Sequence, residues 1–201
     1  MLLTLNISEK ITMFIIIQPT SELQLVMCNN TYLGRHFKMT IIFDKAREQD
    51  LQQIMEIENS GFSKAEAATK ESMLERIKII PDTFIVAYDE KQQPLGYIVG
   101  PASTKRYLSD ELFEKSTPNS PLAPYQTILS LAVAPNKQKM GLAGRLLAQL
   151  ATVAKNQGRH LITLTCLEEL VPFYEKYGYR VDGVSDSKHA GEIWYNMTRL
   201  F

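Results

Sequence analysis

Residues 128–150, I-L-S-L-A-V-A-P-N-K-Q-K-M-G-L-A-G-R-L-L-A-Q-L, constrain the fold more than any other stretch of the chain. They begin apolar and uncharged at Ile128, Leu129, Leu131 and Val133, as a buried strand does. Pro135 and Asn136 stop that strand. A short basic turn with glycines covers 137–144. Leu146, Leu147, Leu150 and Val153 then recur at the i, i+1, i+4, i+7 spacing of one apolar helix face. Strand, glycine turn and helix in succession make a cradle for phosphate. The first helical turn has unpaired N–H groups, its dipole is positive there, and small residues let a ligand approach the backbone. Gly141 and Gly144 would each cost about 1 kcal/mol against alanine inside a helix, which points to a close approach at these positions.

Three glycine patterns compete for this turn. The P-loop pattern G-x-x-x-x-G-K-[ST] does not fit, because Gly141 and Gly144 are followed by Arg145. The dinucleotide pattern G-x-G-x-x-G lacks its leading pair. Gln138-x-x-Gly141-x-Ala143, five residues after Val133, does fit [Q/R]-x-x-G-x-[G/A]. It resembles the acyl-CoA pyrophosphate loop of the GCN5-related N-acetyltransferase (GNAT) superfamily. For the loop alone, a helix that merely starts with glycines is the plain alternative.

The 201 residues suffice for one domain with a full core. Lys plus Arg and Asp plus Glu are both 22, so bulk charge draws the chain neither to nucleic acid nor to an anionic membrane. Lys137, Lys139 and Arg145 form a local basic patch that suits a small polyphosphate better than a polymer. Cys28 and Cys166 lie far apart without metal spacing, so neither a disulfide framework nor a metal is implied. No apolar run approaches the ~20 residues of a membrane span. The N-terminus lacks a basic region and a small-residue cleavage site, and Glu9 and Lys10 interrupt its apolar stretch. A cytoplasmic protein is expected.

Residues 1–38 read as an N-terminal extension of uncertain structure, with short strands at 13–17 and 23–27. Met39 reads as a natural start, and 39–201 as the domain. A strand over 40–43 precedes a helix over 50–59 with Asp50 as its N-cap. A second helix is expected over 64–77. Strands at 83–88 and 95–99 flank the polar turn D-E-K-Q-Q-P and should be antiparallel. Residues 100–124 form a long insertion with a short helix at 109–115, capped by Ser109, and read as a substrate-covering loop. A strand at 160–166 should pair in parallel with the one entering at Ile128. A short helix ends at Gly178, and strands start at Tyr179 and run over 193–197. The order β-α-α-β-β-β-α-β-α-β-β describes an α/β fold, a mixed central sheet with helices on both faces. It matches the GNAT acyl-CoA N-acyltransferase fold.

A second signature is Leu170-Val-Pro-Phe-Tyr174-Glu-Lys-Tyr-Gly-Tyr179. Its L-V-P-F-Y wording, shortly after a cysteine at a strand end, resembles the arylalkylamine (serotonin) N-acetyltransferase branch. The resemblance implies acetyl-CoA as co-substrate and direct transfer to a primary amine without a metal. It implies that the backbones of Leu131, Ala132 and Val133 pair with the pantetheine arm, with an N–H near Val133 supporting the oxyanion. The loop Gln138, Lys139, Met140, Gly141, Leu142, Ala143 and Gly144 would hold the pyrophosphate through its N–H groups. Tyr174 would protonate the departing thiolate, although a helix tyrosine packed in a core has the same sequence appearance. Thr127, Leu129 and Phe173 would lie against the amine.

The chain departs from that branch where a His-x-His pair accepts the amine's proton: Thr127 and Leu129 stand there. His36, His160 and His189 lie elsewhere. His160 reads as a strand entrance, and His189 sits in a loop that can approach the acceptor. Glu56, Glu58 or Tyr125 are the remaining proton acceptors to consider, and Cys166 reads as a small buried residue. A protein or peptide N-acetyltransferase and a catalytically weak acyl-CoA-binding module are the alternatives. A monomer or homodimer is expected.

Overall fold

The computed structural model describes residues 2–8, 11–16, 24–26 and 40–201, and these divide into two units at Met39 and Thr40. In the first unit β1 (Leu2–Ser8), β2 (Ile11–Ile16) and β3 (Gln24–Val26) form an antiparallel sheet in that order. Two of these strands overlap the stretches expected at 13–17 and 23–27. Cys28, His36 and Met39 lie outside the described residues.

The second unit opens with β4 (Ile42–Lys45), two residues later than expected. A 3₁₀ turn over Glu48–Asp50 leads into α1 (Leu51–Gly61). Asp50 is not a side-chain cap. Its carboxylate accepts the Tyr88 hydroxyl at 2.6 Å, because a buried phenol needs a partner. α2 (Lys70–Ile79) starts six residues after the expected position. Glu66 turns back to accept the Ser63 N–H at 2.9 Å, closing a separate turn, and Thr69 then caps α2 by accepting the Ser72 N–H at 3.1 Å.

β5 (Phe84–Tyr88) and β6 (Pro94–Val99) form the expected antiparallel hairpin. Asp89 closes it by accepting the N–H groups of Lys91 (2.8 Å) and Gln93 (2.9 Å). In the insertion, β7 (Ala102–Ser103) adds an edge strand, and the helix expected at 109–115 is one turn, α3 (Glu111–Glu114). Ser109 does not cap it; Asp110 precedes it, also without a side-chain cap.

The stretch expected as one strand from Ile128 is two. β8 (Tyr125–Ile128) and β9 (Ser130–Val133) belong to different sheets, and the chain changes sheet at Leu129. The Leu129 N–H bonds the Val99 carbonyl at 2.8 Å. The backbones pass so closely there that a Cβ on Gly100 would lie 2.2 Å from the Thr127 carbonyl oxygen. Gln126 locks the crossing by donating to the Gly100 carbonyl at 2.7 Å.

α4 (Leu142–Asn156) then packs Leu146, Leu147, Leu150 and Ala154 inward. β10 (Leu161–Cys166) pairs in parallel with β8, meeting the strand expected from Ile128 only at Ile128 itself; the rest of that stretch, β9, pairs antiparallel with β6 instead. α5 (Val171–Glu175), β11 (Arg180–Val184) and β12 (Tyr195–Leu200) complete the chain. The result is a mixed α/β fold with two sheets, β4-β5-β6-β9 and β11-β12-β10-β8-β7, where one central sheet was expected. α1 and α2 cover the first sheet through Ile54, Ile57, Met73 and Ile77 against Phe84, Val86, Tyr97 and Val99. Among the described residues no helix is long and apolar enough to cross a membrane.

Candidate active site

The split at Leu129 makes an opening. Among the described residues β9 ends its sheet, so one of its edges is unpaired there. The Ala134 N–H bonds Leu95, and antiparallel pairing alternates, so Leu131 and Val133 turn their N–H and C=O groups to that open edge while Ala132 faces β6. β8 accompanies β10 only as far as Leu164, which leaves Thr165 and Cys166 without β8 beside them. An extended polar arm could add to β9 in this gap as a strand would.

At the end of β9 lies a cavity of about 250 Å³. Its wall includes Val133, Lys137, Gln138, Lys139, Gly141–Gly144, Phe173, Lys176 and Tyr177. No acid lines it. α4 begins here without a side-chain cap, so the first-turn N–H groups of Leu142, Ala143 and Gly144 face outward. Lys139 (φ 60°) and Gly141 (φ 74°) are left-handed and curl the backbone toward the helix end. Gly141 has open space around it, so its left-handed turn, rather than a close approach, is what requires glycine. Gly144 does meet a close approach, from within the chain: a Cβ there would sit 2.3 Å from the Tyr177 ring. Gln138 donates to the Val133 carbonyl at 3.3 Å and so ties the turn to β9. Met140 is exposed beside it. Cationic lining, an uncapped fifteen-residue helix and a curled backbone fit a pyrophosphate, and the open edge fits the pantetheine arm of an acyl-CoA.

Tyr174, on α5, is buried, with its ring edge-on to Phe173 (5.0 Å) and Tyr179 (5.6 Å). Burial, assisted by nearby Cys166, pushes its phenol above the ordinary range and keeps it protonated. Cys166 is a buried free thiol, pushed up to about 11 by burial, and so is un-ionised at neutral pH. Phe173 lines the pyrophosphate-side cavity, with its ring 5.1 Å from that of Tyr177.

A second cavity, of about 540 Å³, lies on the other side of β9. Residues 64–69, Arg76, Ser130 and His189 line it, and α3 covers it through Phe113 and Glu114. The Phe113 and His189 rings stack at 4.7 Å. Thr127 does not reach this space: it is fully buried and donates to the Pro101 carbonyl at 2.7 Å. Leu129 sits at the sheet change, and neither cavity includes it. The residue of this strand that reaches the cavity is Ser130, which the sequence reading passed over.

Behind Ser130 lies Glu58, 1% exposed. Its carboxylate accepts the Tyr97 hydroxyl, the Ala68 N–H at 2.8 Å and, at 3.5 Å, the Ser130 hydroxyl. Burial raises its pKa, and those hydrogen bonds together with the Arg76 charge oppose the rise. Of the three proton acceptors considered from sequence, Glu56 is exposed on another face of α1 and Tyr125 lines neither cavity. The signal for Glu58 was its register: it follows Ile54 and Ile57 onto the buried face of α1.

An open strand edge beside a cation-lined helix start, with a separate cavity on the same strand, fits an acyl-CoA-dependent transferase. The chain belongs to the acetyltransferase (GNAT) family, whose domain model matches residues 44–201, and it is an acyl-CoA-dependent N-acetyltransferase. Solved structures share the fold. Ard1 of Thermoplasma volcanium superposes with a TM-score of 0.62 at 19% identity, over 80% of this chain and 97% of that one. The GNAT-like decarboxylase GphF, solved with isobutyryl-CoA, gives 0.67 at 16%, over 79% and 98%. Arabidopsis thaliana Naa50, solved with the bisubstrate analogue CoA-Ac-MVNAL, gives 0.61 at 16%, over 80% and 99%. No curated protein matches this chain in sequence.

Proposed function

We propose that the chain transfers the acetyl group of acetyl-CoA to the primary amine of a small molecule held in the 540 Å³ cavity. One observation carries the reading: Ser130 lines that cavity and immediately precedes Leu131–Val133, the strand with the open edge. A bound amine therefore lies one residue from the place where a thioester would be presented. The volume is that of a small-molecule site. The stacked Phe113–His189 pair suits an aromatic or apolar body, in keeping with the resemblance to the arylalkylamine branch, and Glu66 and Glu114 suit an approaching ammonium.

Acetyl-CoA supplies an activated acyl group, and the chain's own residues position and handle protons. The amine must lose a proton to attack. Ser130 passes it toward Glu58, which burial has made more basic than an ordinary carboxylate. The backbone of Leu131–Val133 orients the acyl arm, and an N–H near Val133 meets the developing oxyanion. Tyr174, which burial keeps protonated, takes the role the resemblance implies, that of donor to the leaving thiolate. The N–H groups of residues 139–144 hold the pyrophosphate. The single cysteine of the domain is a buried thiol, which suits a reducing cytoplasm.

A thiol-release screen with acetyl-CoA tests this reading across arylalkylamines, polyamines, amino acids, aminoglycosides and N-terminal peptides. Turnover of a small amine is the expected result. Turnover of peptides alone would make the chain a peptide acetyltransferase. CoA binding by calorimetry without turnover of anything would make it an acyl-CoA-binding module.

A further inference from the structure

Arg76 on α2 is 2% exposed and forms part of the wall of the 540 Å³ cavity. Its Nη2 donates to the Phe113 carbonyl at 3.1 Å and so holds the covering turn. Its Nη1 is buried and has no hydrogen-bond partner among the described residues. The neighbouring acids do not hydrogen-bond it, although the charges of Glu58 and Glu75 act on it. Glu66 accepts from the Ser63 N–H, Asp110 accepts from the Ser187 hydroxyl and the Lys188 N–H, and the Glu58 carboxylate is bonded to Tyr97, Ala68 and Ser130. A buried guanidinium N–H left unmatched is costly, and a native fold keeps one where something else completes it.

Resting on the small-amine reading above, we propose that Arg76 binds a carboxylate on the acceptor, and that the acceptor is a free amino acid. The guanidinium fork matches a carboxylate, and a dry site strengthens that pairing. Arg76 and Ser130 line the same cavity, so a ligand that carries both an amino and a carboxylate group, as an α-amino acid does, meets both within one space. The acids of the cavity mouth, Glu66 and Glu114, then face a side chain or the approaching ammonium rather than the carboxylate.

The experiment uses the whole chain and matched acceptors: phenylalanine, phenylalaninamide and 2-phenylethylamine; tryptophan and tryptamine; lysine and cadaverine. Thiol release is expected to give each amino acid a kcat/KM about 10- to 100-fold above its decarboxylated partner, the range for a hydrogen bond to a charged group. Phenylalaninamide should follow the plain amine. In Arg76→Lys, which keeps the charge beside Glu58 but loses the fork, that ratio should fall toward one, mainly through KM. A wild-type ratio at or below one, an amide that matches its amino acid, or a ratio unmoved by Arg76→Lys overturns the carboxylate role and leaves the small-amine reading standing. No thiol release with any member of any pair overturns the amino-acid acceptor, and the small-amine reading falls with it when the wider amine panel is silent too.

Discussion

At the scale of single residues, the proposed proton work falls to Tyr174 and Glu58. Tyr174→Phe removes the hydroxyl while keeping the ring that packs on Phe173 and Tyr179. It should lower kcat at neutral pH by about 10²-fold and leave CoA affinity little changed in calorimetry. Unaltered turnover of a good amine would remove Tyr174 from the mechanism. Glu58 works as a proton acceptor only when ionised, so activity must fall as pH falls through its pKa. Burial raises that pKa, so the acidic limb of the kcat/KM profile should lie above the ordinary carboxylate range. Glu58→Gln should lower kcat/KM by about 10²-fold and abolish that limb. A limb that persists in Glu58→Gln belongs to another group. The motif that carries Tyr174 is local and stands out in the sequence. The place of Ser130 in the cavity wall does not, because which residue of 127–130 faces that cavity depends on where the chain changes sheet.

At the scale of elements, the turn before α4 and the first turn of α4 carry two different glycine requirements. Gly141 supplies a left-handed residue that aims the helix end, and Gly144 makes room for Tyr177. In Gly144→Ala the Tyr177 ring must swing away from the new methyl, and both residues line the cradle. CoA binding in calorimetry should weaken by about tenfold, ~1.4 kcal/mol. Gly144→Ala with Tyr177→Ala should bind more tightly than Gly144→Ala alone. Wild-type affinity in the single variant would place the pyrophosphate elsewhere. The β5–β6 hairpin and α4 were legible from periodicity and turn chemistry. The start of α2 was not. Lys64, Ala65, Glu66 and Ala67 are good helix formers, yet the Ser63–Glu66 turn and the Thr69 cap delay the helix and turn residues 64–69 into cavity wall.

At the scale of the whole molecule, a ligand that binds only the folded chain stabilises it. CoA at 100 times its Kd should contribute about 2.7 kcal/mol. For a domain of this size that raises Tm by roughly 5–10 °C. We propose that 39–201 is the acyl-CoA-binding domain, so a chain beginning at Met39 should melt with the same CoA-dependent shift. Loss of the shift in that chain would assign part of the site to residues 1–38. The strand, glycine turn and helix within 128–150 and the α/β class were determined by the sequence itself, because they rest on periodicity and on contacts between near neighbours. The acceptor side was decided only by the tertiary structure. Glu58, Arg76, Phe113, Ser130 and His189 come from α1, α2, the insertion, β9 and the loop before β12, and no spacing along the chain announces their meeting. The sheet change at Leu129 brings them together. It turns one expected strand into two, leaves an open strand edge on β9, and leaves a buried guanidinium at the wall of the space beyond.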